Sequence, residues 1–309
     1  MERRVSFYSE GLRLAGVLFV PDDLPPGHKR PGIVLCQGFS GIKDALLPDV
    51  ARRFVQAGYV ALTFDYRYFG ESEGEPRWRL LPQAQVQDIR NAITFLQQQE
   101  EVDAAAIGLY GTSFGGANVS YTAAVDERVR CTVSTVGIGS GARWLRSLRR
   151  YWEWRELLKR LEEDRRTRVR TGRSAYVHTL EIMLPDPLTQ QFWDKTTPRA
   201  LELFPHMGTQ VTLESAEAVI EFVPEAVVAR IAPRPILWIH AAEDTLVPPE
   251  ESQRMYARAR EPKKLVLLPG LTHWDIYRGE GLIQVTDHAL QWYRQWLPVP
   301  SYAADRPAS

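Results

Sequence analysis

One short stretch predicts a strand, a sharp turn and a helix in succession: Ile107-Gly108-Leu109-Tyr110-Gly111-Thr112-Ser113-Phe114-Gly115-Gly116. Its first four residues form an apolar strand pattern, and a helical pattern runs on from Phe114 to Ala124. A serine in such a turn has its hydroxyl lifted above the sheet, and only glycine leaves clearance two residues to either side. The stretch therefore predicts Ser113 as a nucleophile, with the backbone N–H groups of the following helix directed toward it.

Strand and helix patterns alternate on both sides of this stretch. Because strands that alternate with helices form right-handed crossovers, the order predicts an α/β fold with a mostly parallel central sheet and helices on both faces. The predicted strands are Gly32 to Cys36, Tyr59 to Phe64, Ala106 to Tyr110, Val129 to Val136, Pro235 to His240 and Lys264 to Leu268. The predicted helices are Leu46 to Ala57, Pro82 to Gln99, Phe114 to Ala124, Glu250 to Arg260 and Gly281 to Trp296.

Two regions depart from this alternation. A hairpin is predicted at the start of the chain, from Arg4 to Tyr8 and Leu14 to Val20. Between Gly141 and Ala229 helices and loops are predicted, with no convincing strand. We therefore predict a core domain over residues 1–140 and 230–309, interrupted by a helical cap over residues 141–229.

Composition excludes several classes of protein. The 309 residues contain 38 Lys and Arg against 38 Asp and Glu, so no net charge attracts nucleic acid or an anionic membrane. No apolar run approaches the roughly 18 residues of a membrane span, and the first residues have no apolar leader. Two cysteines in strand-like runs, Cys36 and Cys131, predict buried free thiols. A cytoplasmic protein is expected.

The start of the predicted cap is strongly basic. Residues 141–175 contain 12 Arg and Lys against 5 Asp and Glu, with interleaved aromatic residues. The favoured interpretation is an amphipathic helix with its aromatic side against the core and its arginines in solvent. A surface for acidic substrates or lipid headgroups is the alternative, and nucleic acid is disfavoured because no binding motif accompanies the charge.

A serine hydroxyl needs a base, usually a histidine held by a carboxylate. Of six histidines, only His273 lies in a loop directly after a predicted strand, where parallel sheets place their chemistry. The acid is expected after an earlier strand, in the order serine, acid, histidine. Asp244 is favoured and Glu243 is the alternative, whereas Asp275 is interpreted as a hydrogen-bonding residue of the loop.

Acyl transfer also needs donors for the developing oxyanion. The first is the backbone N–H of Phe114, the residue after the nucleophile. The second is expected from the loop Gln37-Gly38-Phe39-Ser40-Gly41, where Phe39 is favoured and Ser40 is the alternative.

Taken in order, Gln37-Gly38-Phe39, Phe64 to Ser72, Gly111 to Gly116, Glu243-Asp244 and Gly270 to His273 resemble the α/β-hydrolase superfamily. More narrowly, they are similar to serine esterases of the dienelactone-hydrolase and acyl-peptidase-like branch. The resemblance implies an α/β-hydrolase fold without metal or cofactor. Many relatives have His-Gly where this chain has Gln37-Gly38. The resemblance also implies a structural loop at Asp65 and Arg67, interpreted as an Asp–Arg scaffold.

The predicted function is ester hydrolysis through an acyl-enzyme, carried out by Ser113, His273 and Asp244. A peptidase or amidase and an acyltransferase use the same triad and remain alternatives, and a non-catalytic binding protein is disfavoured because all three residues are present. The partner is a small-molecule ester or amide, not a nucleic acid or membrane, and the sequence also allows a homodimer. Candidate substrate-binding residues are Trp144, Trp152, Trp193, Met207 and Trp274.

Overall fold

The computed structural model describes residues 1–301 and contains an eight-stranded central sheet. The strands of the central sheet are β1 (Glu2–Ser9), β2 (Leu12–Phe19), β3 (Arg30–Cys36), β4 (Val60–Phe64), β5 (Val102–Thr112), β6 (Val129–Thr135), β9 (Ile236–Ala241) and β10 (Lys263–Leu268). Two further strands, β7 (Tyr176–His178) and β8 (Gln210–Thr212), form a separate pair.

The sheet order is β1-β2-β4-β3-β5-β6-β9-β10. β1 and β2 form the predicted antiparallel hairpin, and β2 pairs antiparallel with β4. All remaining pairs in this sheet are parallel. The carboxyl ends of β3, β5, β9 and β10 therefore lie along one edge of the sheet, and the predicted α/β-hydrolase fold is confirmed.

Helices cover both faces of this sheet. Side chains alternate across each parallel strand, so Val34 of β3 packs into one buried cluster while Ile33 and Leu35 pack into the other. The helices are α1 (Leu47–Gln56), α2 (Pro82–Gln97), α3 (Phe114–Val125), α4 (Gly141–Ser147), α5 (Tyr151–Thr171), α6 (Thr179–Ile182), α7 (Pro187–Leu203), α8 (Glu214–Glu221), α9 (Glu250–Arg258) and α10 (Gly279–Trp296). None of those within residues 1–301 combines the length and hydropathy that crossing a bilayer requires.

Residues 141–229, here called the insertion segment, contain α4 to α8 between β6 and β9. The expectation of no strand there was wrong, because β7 and β8 pair antiparallel across His178 and Gln210. Each is only three residues long, too short for a strand periodicity to be visible in the sequence. The last eight positions of the core domain predicted to end at residue 309 lie outside the described residues.

The basic helix α5 differs from the predicted amphipathic arrangement. Leu157 and Leu161 do face the core, but Tyr151 and Trp152 are exposed. Several of its arginines are in ion pairs with carboxylates rather than free in solvent, such as Arg168 with Asp164. Trp154 packs against the core, so the aromatic residues at the start of this helix are divided between its buried and its exposed sides.

Candidate active site

Ser113 lies at the sharp turn between β5 and α3. Its backbone has φ 55° and ψ −123°, a conformation that costs energy for a residue with a side chain, and its N–H donates to the carbonyl of Thr135 over 2.9 Å. α3 begins at the next residue, so the positive end of the helix dipole points at the serine. This is the strained geometry that the sequence predicts for a nucleophile.

Glycine is required on both sides of this turn. A Cβ on Gly111 would lie 2.2 Å from the carbonyl oxygen of Gly115, and one on Gly115 would lie 2.2 Å from that of Cys36. Gly38 approaches the serine itself, because a Cβ there would lie 3.0 Å from the Ser113 Cβ and 3.5 Å from its Oγ. The loop after β3 therefore runs directly beside the Ser113 hydroxyl.

The structure brings Asp244 and His273 together. Nδ1 of His273 lies 2.7 Å from Oδ2 of Asp244, and both side chains are buried. Their loops follow the adjacent strands β9 and β10, and Glu243 N–H donates to the Leu271 carbonyl over 3.0 Å. Because a carboxylate only accepts, His273 carries a proton on Nδ1, which leaves Nε2 free to act as a base.

The turn that carries Asp244 is held from several sides. Its Oδ1 accepts from the Val247 N–H over 2.7 Å, and the Val247 carbonyl accepts from Nε2 of the buried His240 over 2.8 Å. Burial alone would raise the pKa of Asp244, but the two neighbouring imidazoles, His273 and His240, outweigh it and lower that pKa to about 2. Asp244 therefore stays ionised beside His273.

The alternatives to Asp244 have other roles. Glu243 is exposed on the same turn. Asp275 accepts from the backbone N–H and the hydroxyl of Thr272 over 2.9 and 2.6 Å, as expected of a loop hydrogen-bonding residue.

Ser113 and His273 meet at a cavity of about 1090 Å³, which both residues line. Within residues 1–301, the Ser113 hydroxyl has no assigned hydrogen-bond partner. Catalytic hydrogen bonds are often long before substrate binds and tighten in the complex. Serine and histidine therefore share one chamber, with the acid behind the histidine.

The two candidate oxyanion residues flank the serine. Phe39 follows Gly38 in the loop beside the Ser113 hydroxyl, and Phe114 is the first residue of α3. No acceptor is assigned to the backbone N–H of either phenylalanine within the described chain. Their rings pack edge to face with centroids 6.0 Å apart. Ser40, the alternative donor, has a left-handed backbone with φ 55°.

A buried ion pair holds the loop that carries Phe39. Nζ of Lys43 lies 2.8 Å from Oδ2 of Asp65, and the Lys43 N–H donates to Oδ1 over 2.7 Å. Asp65 and Arg67 both take part in buried structural ion pairs, in agreement with the expected scaffold role, but with separate partners: Arg67 binds the buried Asp88 over 2.7 Å. The sequence analysis did not anticipate a buried lysine in this loop, because Lys43 stands in the sequence only as one charged residue between Ile42 and Asp44.

Gln37 lies at the start of the loop after β3, where the resemblance to the α/β-hydrolase superfamily implies histidine in many relatives. Its side-chain amide donates to the Phe64 carbonyl, while its buried Oε1 has no hydrogen-bond partner within residues 1–301. Gln37 thus ties the start of the loop after β3 to the end of β4.

Three of the five predicted substrate-binding residues line the cavity, namely Trp193, Met207 and Trp274. Trp144 and Trp152 do not. Trp144 is fully buried and packs against the rings of both Phe39 and Phe114, whereas Trp152 is exposed on α5. Sequence reasoning missed other cavity residues, namely Met183, Phe192, Thr196, Ala200, Leu203 and Leu246.

Helix α7 supplies much of this wall. Phe192, Thr196 and Ala200 recur every four residues and so share one face of the helix, a spacing visible in the sequence. Phe192 stacks on Trp274 with centroids 4.2 Å apart, and the Trp274 indole N–H donates to Thr189 over 3.2 Å. The insertion segment is thereby joined to the residue next to His273.

The family model for serine aminopeptidases, S33, matches residues 27–276. This match spans every predicted element of the triad. The chain belongs to the serine aminopeptidase S33 family. The predicted α/β-hydrolase superfamily is thereby confirmed, whereas the narrower resemblance to the dienelactone-hydrolase branch stays an expectation.

Relatives extend over almost the whole chain of this S33 family member. It is 34% identical to an uncharacterised 31.7 kDa protein of the traX-finO intergenic region of Escherichia coli, over 89% of this chain and 94% of that one. It is 28% identical to the polyketide transferase claH of Penicillium crustosum, over 94% and 96%. The crystal structure of the α/β hydrolase GrgF from Penicillium sp. sh18 superposes with a TM-score of 0.79, covering 96% and 99% at 25% identity.

Proposed function

We propose that this protein is a serine hydrolase that cleaves a carboxylic ester through an acyl-enzyme intermediate. The observation that carries the proposal is the 2.7 Å contact between Asp244 Oδ2 and His273 Nδ1, because His273 lines the same cavity as Ser113. Three side chains that are distant in the sequence are thus arranged around one cavity, with Ser113 and His273 at its wall and Asp244 behind His273. Membership of the S33 family supports a hydrolase in general.

The reaction follows from the positions of these groups. His273 Nε2 removes the proton of the Ser113 hydroxyl as its oxygen attacks the ester carbonyl, and Asp244 stabilises the imidazolium that forms. The backbone N–H groups of Phe39 and Phe114 then donate to the oxyanion of the tetrahedral intermediate. The imidazolium protonates the departing alcohol, and water attacks the acyl-enzyme by the same route. The products are the alcohol and a carboxylic acid, and Ser113 is regenerated.

The cavity favours a sizeable, largely apolar acyl group. Its wall on the insertion segment includes Trp193 and Met207, with Phe192 and Ala200 of α7 beside them. Apolar walls of this kind bury hydrocarbon and leave orientation to a few polar groups. We therefore propose that the insertion segment acts as a cap over the acyl group, and that esters of medium-length apolar acids are turned over.

The test compares wild type with Ser113→Ala and with Ser120→Ala. Ser120 lies on α3 and its hydroxyl donates to the Gly116 carbonyl over 2.8 Å, so it controls for loss of a buried serine hydroxyl. A fluorophosphonate probe is expected to label wild type and Ser120→Ala but not Ser113→Ala, and turnover of p-nitrophenyl esters is expected to follow the labelling. Equal labelling of Ser113→Ala would remove the proposal.

Acyl transfer is the second candidate, favoured by the similarity to a polyketide transferase along almost the whole chain. In that reaction an alcohol or amine replaces water in the second step, and the same residues act. The ratio of transfer product to free acid, measured with added alcohol, separates the two activities. An excess of transfer product at millimolar alcohol would favour the transferase.

The family name makes a peptidase the third candidate. Matched p-nitrophenyl esters and p-nitroanilides distinguish it from an esterase. We expect the esters to be faster, and anilide turnover more than tenfold above ester turnover would overturn that expectation.

A further inference from the structure

We infer that Trp144, in the first helix of the insertion segment, is a positioning residue that holds the turn of Asp244 against the two oxyanion residues. The inference rests on the proposed function and adds to it a residue outside the triad. Trp144 does not line the cavity, so it acts through its neighbours rather than on the substrate.

The indole N–H of Trp144 reaches the acid turn. Its Nε1 donates to the carbonyl of Leu246 over 2.9 Å, two residues after Asp244. Trp144 and Leu246 are both buried, so water does not replace this bond if it is lost. One donor from the insertion segment therefore restrains the turn that presents the carboxylate to His273.

The indole ring reaches the other half of the site. Its centroid lies 6.1 Å from that of Phe39 and 6.2 Å from that of Phe114. These are the two residues whose backbone N–H groups are proposed to hold the oxyanion. A single side chain therefore contacts the acid turn and both oxyanion residues.

Helix α4 gives this indole a rigid base. The Gly141 N–H donates to the Phe222 carbonyl over 2.9 Å, and a Cβ on Gly141 would lie 1.7 Å from the Val219 carbonyl oxygen. The Arg143 guanidinium binds the buried carboxylates of Glu225 and Glu251 over 2.6 and 2.7 Å. These contacts tie α4 to α8, to the turn that carries Glu225 and to α9, and through them we infer that the position of the indole is fixed relative to the acid turn.

Glu251 closes this arrangement on the side of the acid. Its Oε2 accepts from the backbone N–H groups of Gly139 and Ser140 over 2.8 and 3.0 Å. Glu251 belongs to α9, which begins three residues after Val247. The start of α4 and the end of the acid turn are therefore tied to the same helix.

Loss of the indole donor is expected to lower kcat and leave KM nearly unchanged. Trp144→Phe keeps an aromatic ring beside Phe39 and Phe114 but leaves the Leu246 carbonyl without its donor. A small displacement of a catalytic group costs up to about a hundredfold in rate. We expect kcat to fall about 10- to 100-fold, with KM within about threefold of wild type.

Trp292→Phe is the matched control. Trp292 is buried on α10, and its Nε1 has no hydrogen-bond partner in the part of the chain that the structure describes. We expect its kcat to stay within about twofold of wild type, with circular dichroism showing both variants folded. A kcat of Trp144→Phe within twofold of wild type, or a loss equalled by Trp292→Phe, overturns the inference.

A double-mutant cycle tests whether Trp144 acts through the acid. In an Asp244→Ala background the positioned carboxylate is absent, so Trp144→Phe is expected to cost less than about threefold in kcat. The full loss persisting in that background overturns the inference. The cycle is also run with Trp144→Met, which likewise removes the donor to Leu246 and is expected to give the same pattern of losses, so that the test stands where Trp144→Phe does not fold.

Ser113→Ala separates failure of this inference from failure of the proposed function. If Ser113→Ala is inactive and Trp144→Phe is fully active, only the role of Trp144 is lost. If Ser113→Ala keeps wild-type activity, the proposed function fails and the role of Trp144 with it.

Discussion

The edge of the sheet around Ser113, here called the rim, comprises the loop from Gln37 to Lys43 and the turn from Gly111 to Gly115. The rim and the insertion segment differ in how closely their residues are packed. At the rim, a single added carbon at Gly111 or Gly115 would lie 2.2 Å from a backbone oxygen. On α5 of the insertion segment, Tyr151, Trp152 and Val169 are exposed to solvent. The proposed chemistry therefore lies where backbone packs closely against backbone, whereas the insertion segment supplies one wall of the cavity and an exposed outer surface.

The two regions also differ in how they hold charge. Lys43 at the rim is almost fully buried and shares its charge with Asp65, Asp44 and Glu71. Arg166 on α5 pairs with Glu162 one helical turn away, and both are largely exposed. The difference matters because an uncompensated buried charge is costly, whereas an exposed ion pair contributes little.

The largest effect is expected at Asp244, the acid of the proposed triad. Asp244→Asn keeps the shape of the side chain but no longer enforces the His273 tautomer that leaves Nε2 as the base, and kcat is expected to fall about 10⁴-fold. Ester turnover under saturating substrate measures the change.

Glu243→Gln is the control, because Glu243 is exposed on the same turn. Its kcat is expected to stay within about twofold of wild type. A large loss of kcat in Glu243→Gln with little loss in Asp244→Asn would make Glu243, and not Asp244, the acid that orients His273.

The next prediction compares the buried ion pair of the rim with the exposed ion pair of α5. Lys43→Met leaves Asp65 buried without its cation and is expected to lower the free energy of unfolding by about 3 kcal/mol. Arg166→Met removes an exposed pair and is expected to change it by less than about 0.5 kcal/mol. Urea denaturation of both variants gives the two values, and equal losses would contradict the distinction drawn between the regions.

The smallest effect concerns the inner wall of the insertion segment. Trp193→Ala enlarges the cavity and so makes room for a longer acyl chain. The ratio of kcat/KM for long-chain to short-chain p-nitrophenyl esters is therefore expected to rise about tenfold. Trp152→Ala, on the exposed side of α5, is expected to leave that ratio unchanged. If both substitutions changed the ratio alike, the insertion segment would not have the inner and outer faces described above.

Much of the rim could be predicted from local pattern. The Gly-x-Ser-x-Gly turn between an apolar strand and a helix is a steric requirement expressed within a few residues, so Ser113 stands out without any tertiary information. His273 and Asp244 follow from the rule that polar loops after parallel strands share one edge. The structure adds the 2.7 Å contact that joins them.

The insertion segment was harder to predict because nothing local separates a tryptophan in a wall from one in a core. Trp144, Trp152 and Trp193 have the same side chain in similarly charged surroundings, yet the first is buried, the second exposed and the third part of the cavity. Burial depends on which helix packs against which, and α4 meets α8 only after the intervening 66 residues have folded back. The Lys43–Asp65 pair was not predicted for a similar reason, because the two residues lie in the loops that follow two different strands, β3 and β4.

The sequence by itself was sufficient for features that depend on residues only a few positions apart. These are the alternation of strand and helix, the strained serine, the glycines around it and the free thiols among apolar residues. Contacts between residues far apart in the sequence could not be predicted in this way, because they depend on how the helices and strands pack together. The assembled fold alone made Trp144 a neighbour of both the acid turn and the oxyanion residues, and gave α7 its inner face. Backbone sterics act over one turn of chain, whereas packing is set by surfaces that meet only when the chain closes on itself.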